Sequence, residues 1–141
     1  MDQTHPFIAV LDDEPQFGKA LARLLKTYGF EVATFRRGEE FLEACASRLP
    51  HCLLLDLLMP GLNGFEVLER VAARQVPVIV ITGHDQPGTA QRVQALGGFN
   101  YFLKPVNEAQ LSAALRAALD HHVRTAAPQQ GQRTRPPSRN Q

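Results

Sequence analysis

Tryptophan is missing from this 141-residue chain, and aromatic residues make up only 7% of it. With 44% of residues apolar, the core must rest on Leu, Val, Ile and Ala, and the chain is long enough to bury one without staples. Cysteine is also scarce. Cys45 and Cys52 lack metal-type spacing and read as buried reduced thiols, which suits a reducing compartment. No N-terminal stretch has the form of a signal peptide, and no apolar run approaches the roughly 20 residues of a membrane span. These absences point to a soluble, cytoplasmic protein with no membrane partner. Neither sign of charge dominates the total of +1, but the distribution is uneven. Residues 1–123 hold 11 basic and 14 acidic residues, whereas residues 124–141 hold four Arg and no acid.

What is present is an alternation of two periods. "FIAVL" (7–11) is a short apolar run that stops at acids, the form of a buried strand. From Glu14 onward Phe17, Leu21, Leu24, Leu25 and Tyr28 recur at helical spacing, with Asp13 placed to cap the helix, Pro15 in its first turn and Gly29 past its end. "EVATF" (31–35) predicts a second strand, and Glu39–Ser47 a helix with Phe41, Leu42 and Cys45 on its apolar side. "CLLLDL" (52–57) predicts a third strand, followed by a helix capped by Asn63. "VPVIVIT" (76–82) is apolar on both faces, as a central parallel strand should be, with Pro77 tolerated only at its start. A helix over Pro87–Leu96 broken by Gly97 and Gly98, the strand "NYFL" (100–103) and a last helix ending near His121 complete the series. Five strands alternating with five helices predict right-handed βαβ units in a doubly wound α/β fold, a parallel sheet covered on both faces. Beyond Thr125 the text "AAPQQGQRTRPPSRNQ" has no periodicity and reads as disordered.

Polar groups collect at the strand ends. Strand one ends in Asp12, Asp13 and Glu14, strand three in Asp56, strand four in Thr82 and strand five in Lys104. Open α/β sheets bind ligands outside the carboxyl ends of their strands, so these groups are candidates for one crevice. Converging carboxylates repel one another and call for a cation, and Mg²⁺ favours oxygen ligands while keeping several waters. With Lys104 and the Thr82 hydroxyl added, the set suits a phosphoryl group placed on one carboxylate.

The acid pair Asp12–Asp13, "DLLMPGLNGFEVL" around Asp56, "VIVITGH" and "YFLKP" stand in the order and at the separations of a known pattern. Over roughly residues 6–121 the chain resembles the receiver domain of two-component response regulators. The resemblance implies a flavodoxin-like sheet of order 2-1-3-4-5, and the chain then divides into a receiver domain over residues 1–123 and, by its composition, a disordered basic tail over 124–141. It implies that Asp56 accepts a phosphoryl group from a sensor histidine kinase or a phosphotransfer protein. Asp12, Asp13, Asp56 and the backbone carbonyl of Leu58 would hold Mg²⁺, and Thr82 and Lys104 would bind the phosphoryl oxygens. Tyr101 would be the aromatic that swings inward, the Lys104–Pro105 bond would be cis, and the face of helix four, strand five and helix five would meet a downstream protein or a second copy. Three positions bear on behaviour within that pattern. Gly98 replaces a common Ala and is expected to loosen the loop before strand five, while Leu58 and His84 sit where access to the phosphoryl group is set.

Other readings compete. A Mg²⁺-dependent phosphohydrolase of similar sheet needs an acid two residues past its nucleophile, where this chain has Leu58. A phosphate-independent interaction module would have no use for the full polar set. His121–His122 reads as a fraying helix end, and the tail arginines lack the aromatics or helix-turn-helix pattern of a nucleic-acid site, so no direct nucleic-acid binding is expected. Residues 125–141 are too few to form an output domain, so the chain reads as a stand-alone regulator or a fragment of a longer one.

Overall fold

The computed structural model describes residues 5–59 and 63–126, the side chains of 122–126 excepted. Among the described residues, five strands and five helices alternate: β1 (Phe7–Leu11), α1 (Pro15–Thr27), β2 (Glu31–Phe35), α2 (Gly38–Cys45), β3 (Cys52–Leu55), α3 (Gly64–Ala72), β4 (Val78–Thr82), α4 (Thr89–Ala95), β5 (Asn100–Leu103) and α5 (Glu108–Ala126). All strand pairs are parallel and the order is β2-β1-β3-β4-β5, so the doubly wound architecture is as expected.

Side chains alternate across the strands and divide the core into two layers. Ala9, Leu11, Leu53, Leu55, Val78 and Val80 face Phe41 and Cys45 of α2, Val67, Leu68 and Val71 of α3, and Val93 of α4. Ile8, Val10, Cys52, Leu54, Ile79 and Ile81 face Leu21 and Leu25 of α1 and Leu111, Leu115 and Ala118 of α5. β1, β3 and β4 are buried along their whole length, which is why their sequences are continuous apolar runs with no polar alternation. Each such Leu cut to Ala would cost about 2–5 kcal/mol.

Several boundaries differ from the expected ones for local reasons. β3 stops at Leu55, and Asp56 is the first residue past it. β4 starts at Val78, because Pro77 has no N–H for the ladder; its carbonyl accepts from the Leu53 N–H at 3.0 Å. α2 and α4 are each shorter than their patterns, and α5 runs to Ala126, beyond the expected end near His121. Asp13 does not cap α1. Glu14 occupies the cap position without a side-chain cap bond, and the Asp12 carboxylate accepts the Glu14 N–H at 2.9 Å instead. Asn63 caps α3 by accepting from the Phe65 N–H at 2.7 Å. Past α1, Gly29 takes φ 92°, a left-handed conformation that glycine adopts without steric cost. Gly98 is a tight spot and not a slack one: a Cβ there would lie 2.9 Å from the Val93 carbonyl oxygen. The tail expected to be disordered from residue 124 is helical through Ala126, because α5 continues to that point, and its residues 127–141, like the turn residues 60–62, lie outside the described residues.

Candidate functional site

The sheet register brings the polar tips together. Leu11 pairs with Leu55, so Asp12 and Asp56 follow as neighbours at the ends of β1 and β3, where the strand order reverses. The Asp56 N–H donates to the Leu11 carbonyl at 3.0 Å, and the Asp12 N–H donates to the Phe35 carbonyl at 3.0 Å. Both carboxylates are therefore held by the backbone ladder and are buried, as is Thr82. Thr82 pairs with Leu103 in β5, and the Lys104 N–H donates to the Thr82 carbonyl at 2.8 Å, which sets the lysine beside the acids.

Asp12, Asp13 and Asp56 each present one carboxylate oxygen, and these atoms lie within 4.8 Å of one another. Lys104 Nζ sits 2.9 Å from Asp12 Oδ2, 2.9 Å from Glu14 Oε1 and 3.3 Å from Asp56 Oδ2, and 4.1 Å from the centre of the Phe17 ring. The contact with Asp12 is an ion pair and not an aligned hydrogen bond, so the buried Asp12 Oδ2 has no hydrogen-bond partner among the described residues. Asp56 Oδ1 accepts the Leu58 N–H at 3.1 Å, and Thr82 Oγ1 accepts the His84 N–H at 3.2 Å. A crevice of about 380 Å³ opens over the group, lined by Asp13, Glu14, Asp56, Leu58, Gly83, His84 and Lys104.

Electrostatics follow from burial. Loss of water pushes the Asp12 carboxyl above the usual carboxylate range; the Glu14 N–H and Lys104 pull it down, Asp56 adds to the rise, and burial wins. Burial alone would lower Lys104, but its close contacts with the Asp12 and Glu14 carboxylates, with the field of Asp56, hold it above its ordinary value. Lys104 therefore remains a cation at neutral pH. A buried acid with one oxygen lacking a hydrogen bond, beside two more carboxylates, fits a hard divalent cation with oxygen ligands.

Around this centre, Tyr101 lies on the α4 side of the sheet and donates to Asp85 Oδ1 at 2.8 Å. It pairs with Val80, two residues before Thr82, so the Thr82 and Tyr101 side chains stand on the same face of adjoining strands. The Lys104–Pro105 peptide is cis. Leu58 is 50% exposed at the mouth of the crevice.

A sequence profile of the response regulator receiver domain matches residues 8–116. The chain belongs to this receiver family. Among curated receiver-bearing proteins, it is 34% identical over 121 residues to the DNA-binding transcriptional regulator NtrC of Escherichia coli, covering 84% of this chain and 26% of the regulator. It is 35% identical over 118 residues to the phosphate regulon regulatory protein PhoB of Rhizobium meliloti, covering 81% and 52%. The chain thus spans between a quarter and about half the length of these two relatives. Among solved receivers, the BeF₃-activated receiver domain of Klebsiella pneumoniae RstA superposes with a TM-score of 0.75 at 28% identity, covering 80% of this chain and 97% of that one. Receiver domains are signalling switches that interact with histidine kinases and effector domains, and they bind Mg²⁺ at an acidic pocket. This chain has the acidic cluster of that pocket in Asp12, Asp13 and Asp56. Among the described residues no helix is long and apolar enough to cross a membrane.

Of the predicted receiver-site residues, Asp13, Asp56, Leu58 and Lys104 line the crevice and Asp12 joins them in the acid cluster, whereas Thr82 is buried next to the lining residues Gly83 and His84, and Tyr101 stands apart beside Asp85. Sequence reasoning missed Glu14, read only as part of an acidic run, and Phe17, read only as core. It also missed Gly64, where a Cβ would lie 2.5 Å from the Leu57 carbonyl oxygen, so only glycine lets α3 approach the loop after Asp56. The available signals for Gly64 were its place directly after the capping Asn63 and within the motif that follows Asp56.

Proposed function

We propose that Asp56 is the phosphoacceptor of a Mg²⁺-dependent switch, charged by a sensor histidine kinase or a phosphotransfer protein. One observation carries this reading: the Asp56 carboxylate, buried at the strand tip, has a lysine ammonium at 3.3 Å and two further acids gathered beside it. An Asp56 oxygen attacks the donor's phosphorus, the bond from phosphorus to the donor nitrogen breaks, and the imidazole leaves with that electron pair. Lys104 and the Thr82 hydroxyl would bond two phosphoryl oxygens, both already anchored by strand ladders and so needing little reorganisation. Asp12, Asp13, Asp56 and the Leu58 carbonyl would hold the metal, which when bound supplies charge neutralisation for the phosphoryl oxygens.

Drawing Thr82 toward the phosphoryl group would remove the oxygen that His84 N–H now uses and disturb the loop carrying Asp85, the partner of Tyr101. Tyr101 would then turn inward and the α4–β5–α5 face would change for a downstream protein or a second copy. Only slow self-dephosphorylation is expected, since Leu58 offers no proton where a turnover phosphohydrolase needs one. Residues 1–123 would form the receiver unit, with its last helix carried on to Ala126 before the basic tail, in a cytoplasmic protein. Acetyl phosphate with Mg²⁺ should add one phosphoryl group to wild type, read by intact mass, and none to Asp56→Asn. Equal modification of both would sink the reading.

A further inference from the structure

We propose that Glu14 is a positioning residue that competes with the phosphoryl group for Lys104, and so sets how firmly the modified state is held. The inference rests on Asp56 being the acceptor. An ammonium has three N–H donors, and Lys104 Nζ already faces three carboxylates, those of Asp12, Glu14 and Asp56. Of these, Glu14 and Asp56 take aligned hydrogen bonds from the ammonium, at 2.9 and 3.3 Å, so a phosphoryl group on Asp56 shares Lys104 with Glu14. Asp12 sits in the acid cluster with Asp13, and Asp56 is the group being esterified. Glu14 stands apart, at the crevice wall, where its only aligned side-chain bond among the described residues is to Lys104 at 2.9 Å.

The geometry sets the direction of the effect. Lys104 Nζ is closer to Glu14 than to Asp56, 2.9 Å against 3.3 Å, and the Phe17 ring supports it at 4.1 Å. Glu14 thus draws the ammonium toward the α1 side of the crevice. Its side chain is 66% exposed, so water readily takes over the carboxylate when Lys104 leaves, and the competition is modest. Glu14 also makes no side-chain cap bond for α1, so replacing it breaks no hydrogen bond of that helix.

The test is beryllofluoride binding to the full chain at saturating Mg²⁺, followed by ¹⁹F NMR. Glu14→Gln removes the charge and keeps the length. Glu14→Asp keeps the charge but withdraws it by one methylene from Lys104. Both should tighten beryllofluoride by about threefold, the scale of one exposed ion pair. If Glu14→Asp keeps wild-type affinity while Glu14→Gln tightens, the effect is local charge and not the Lys104 contact, and the proposal falls. Unchanged or weaker binding in both variants also overturns it. Failure of wild type itself to bind beryllofluoride would end the acceptor reading, and this proposal with it.

Discussion

The tips of β1 and β3 and those of β4 and β5 stand side by side on one sheet, in opposite electrostatic condition. The first pair carries buried carboxylates, one of which has an oxygen lacking any hydrogen bond among the described residues and a proton affinity raised chiefly by burial. The second pair carries a hydroxyl that already accepts from His84 and an ammonium that is already surrounded by acids. One half is short of positive charge, and the other is satisfied but able to change partners. A site with both halves can take a cation on one side and hand donors to a newly arrived anion on the other. The strands beneath differ at the edge: β1, β3 and β4 are buried along their whole length, whereas β5 is only partly buried.

The sharpest way to break this contrast is to remove the acids. Asp12→Asn with Asp13→Asn should weaken Mg²⁺ binding roughly a hundredfold, while Thr82→Ala leaves it within about twofold; calorimetric titration of both variants decides it. Next in size, Gly64→Ala should cost about 2 kcal/mol in urea unfolding, because its Cβ would press on the Leu57 backbone. It should also weaken Mg²⁺ binding, since the loop it displaces carries Leu58. Gly98→Ala, which crowds the Val93 carbonyl before β5, should cost about 1 kcal/mol and leave Mg²⁺ affinity unchanged. Equal effects of the two glycine variants on the metal would erase the distinction between the two pairs of tips.

The smallest effect is a titration. Burial first, and the bond to Asp85 second, raise the Tyr101 phenol to about 12. Because the folded value lies above the ordinary one of about 10, the stabilisation is complete below about pH 10 and is lost as pH rises through about 12. Ultraviolet difference spectra against Tyr101→Phe should place the midpoint there. Asp85→Asn should lower it without restoring the ordinary value, because burial remains.

Much of this was legible along the chain. The runs "FIAVL", "CLLL" and "VIVIT" are buried on both faces, and only parallel strands covered by helices on each side have that requirement. The site candidates were legible because a buried run that ends in Asp12 or Asp56 has no reason to do so unless its tip opens on a cavity. The cap of α1 was misread, since Asp12 and Asp13 are equally able to cap in sequence and the choice depends on which way the β1 tip turns. The slack expected at Gly98 was also misread: a glycine reads as freedom in isolation, whereas here it admits the Val93 carbonyl. Gly64 and Glu14 escaped notice because their importance lies in what other segments bring to them, the Leu57 backbone in one case and Lys104, 90 residues away, in the other.

By itself, the order of amino acids determined the layering, the strand directions and the kinds of group at each strand tip, because hydrophobic period and chain polarity are local properties repeated along the chain. Only the tertiary structure decided that Lys104 answers to three acids at once, that Asp12 keeps an oxygen without a hydrogen bond, and that Tyr101 is tied to Asp85. Those outcomes depend on distances of a few ångströms between segments far apart in sequence, and register and packing set such distances.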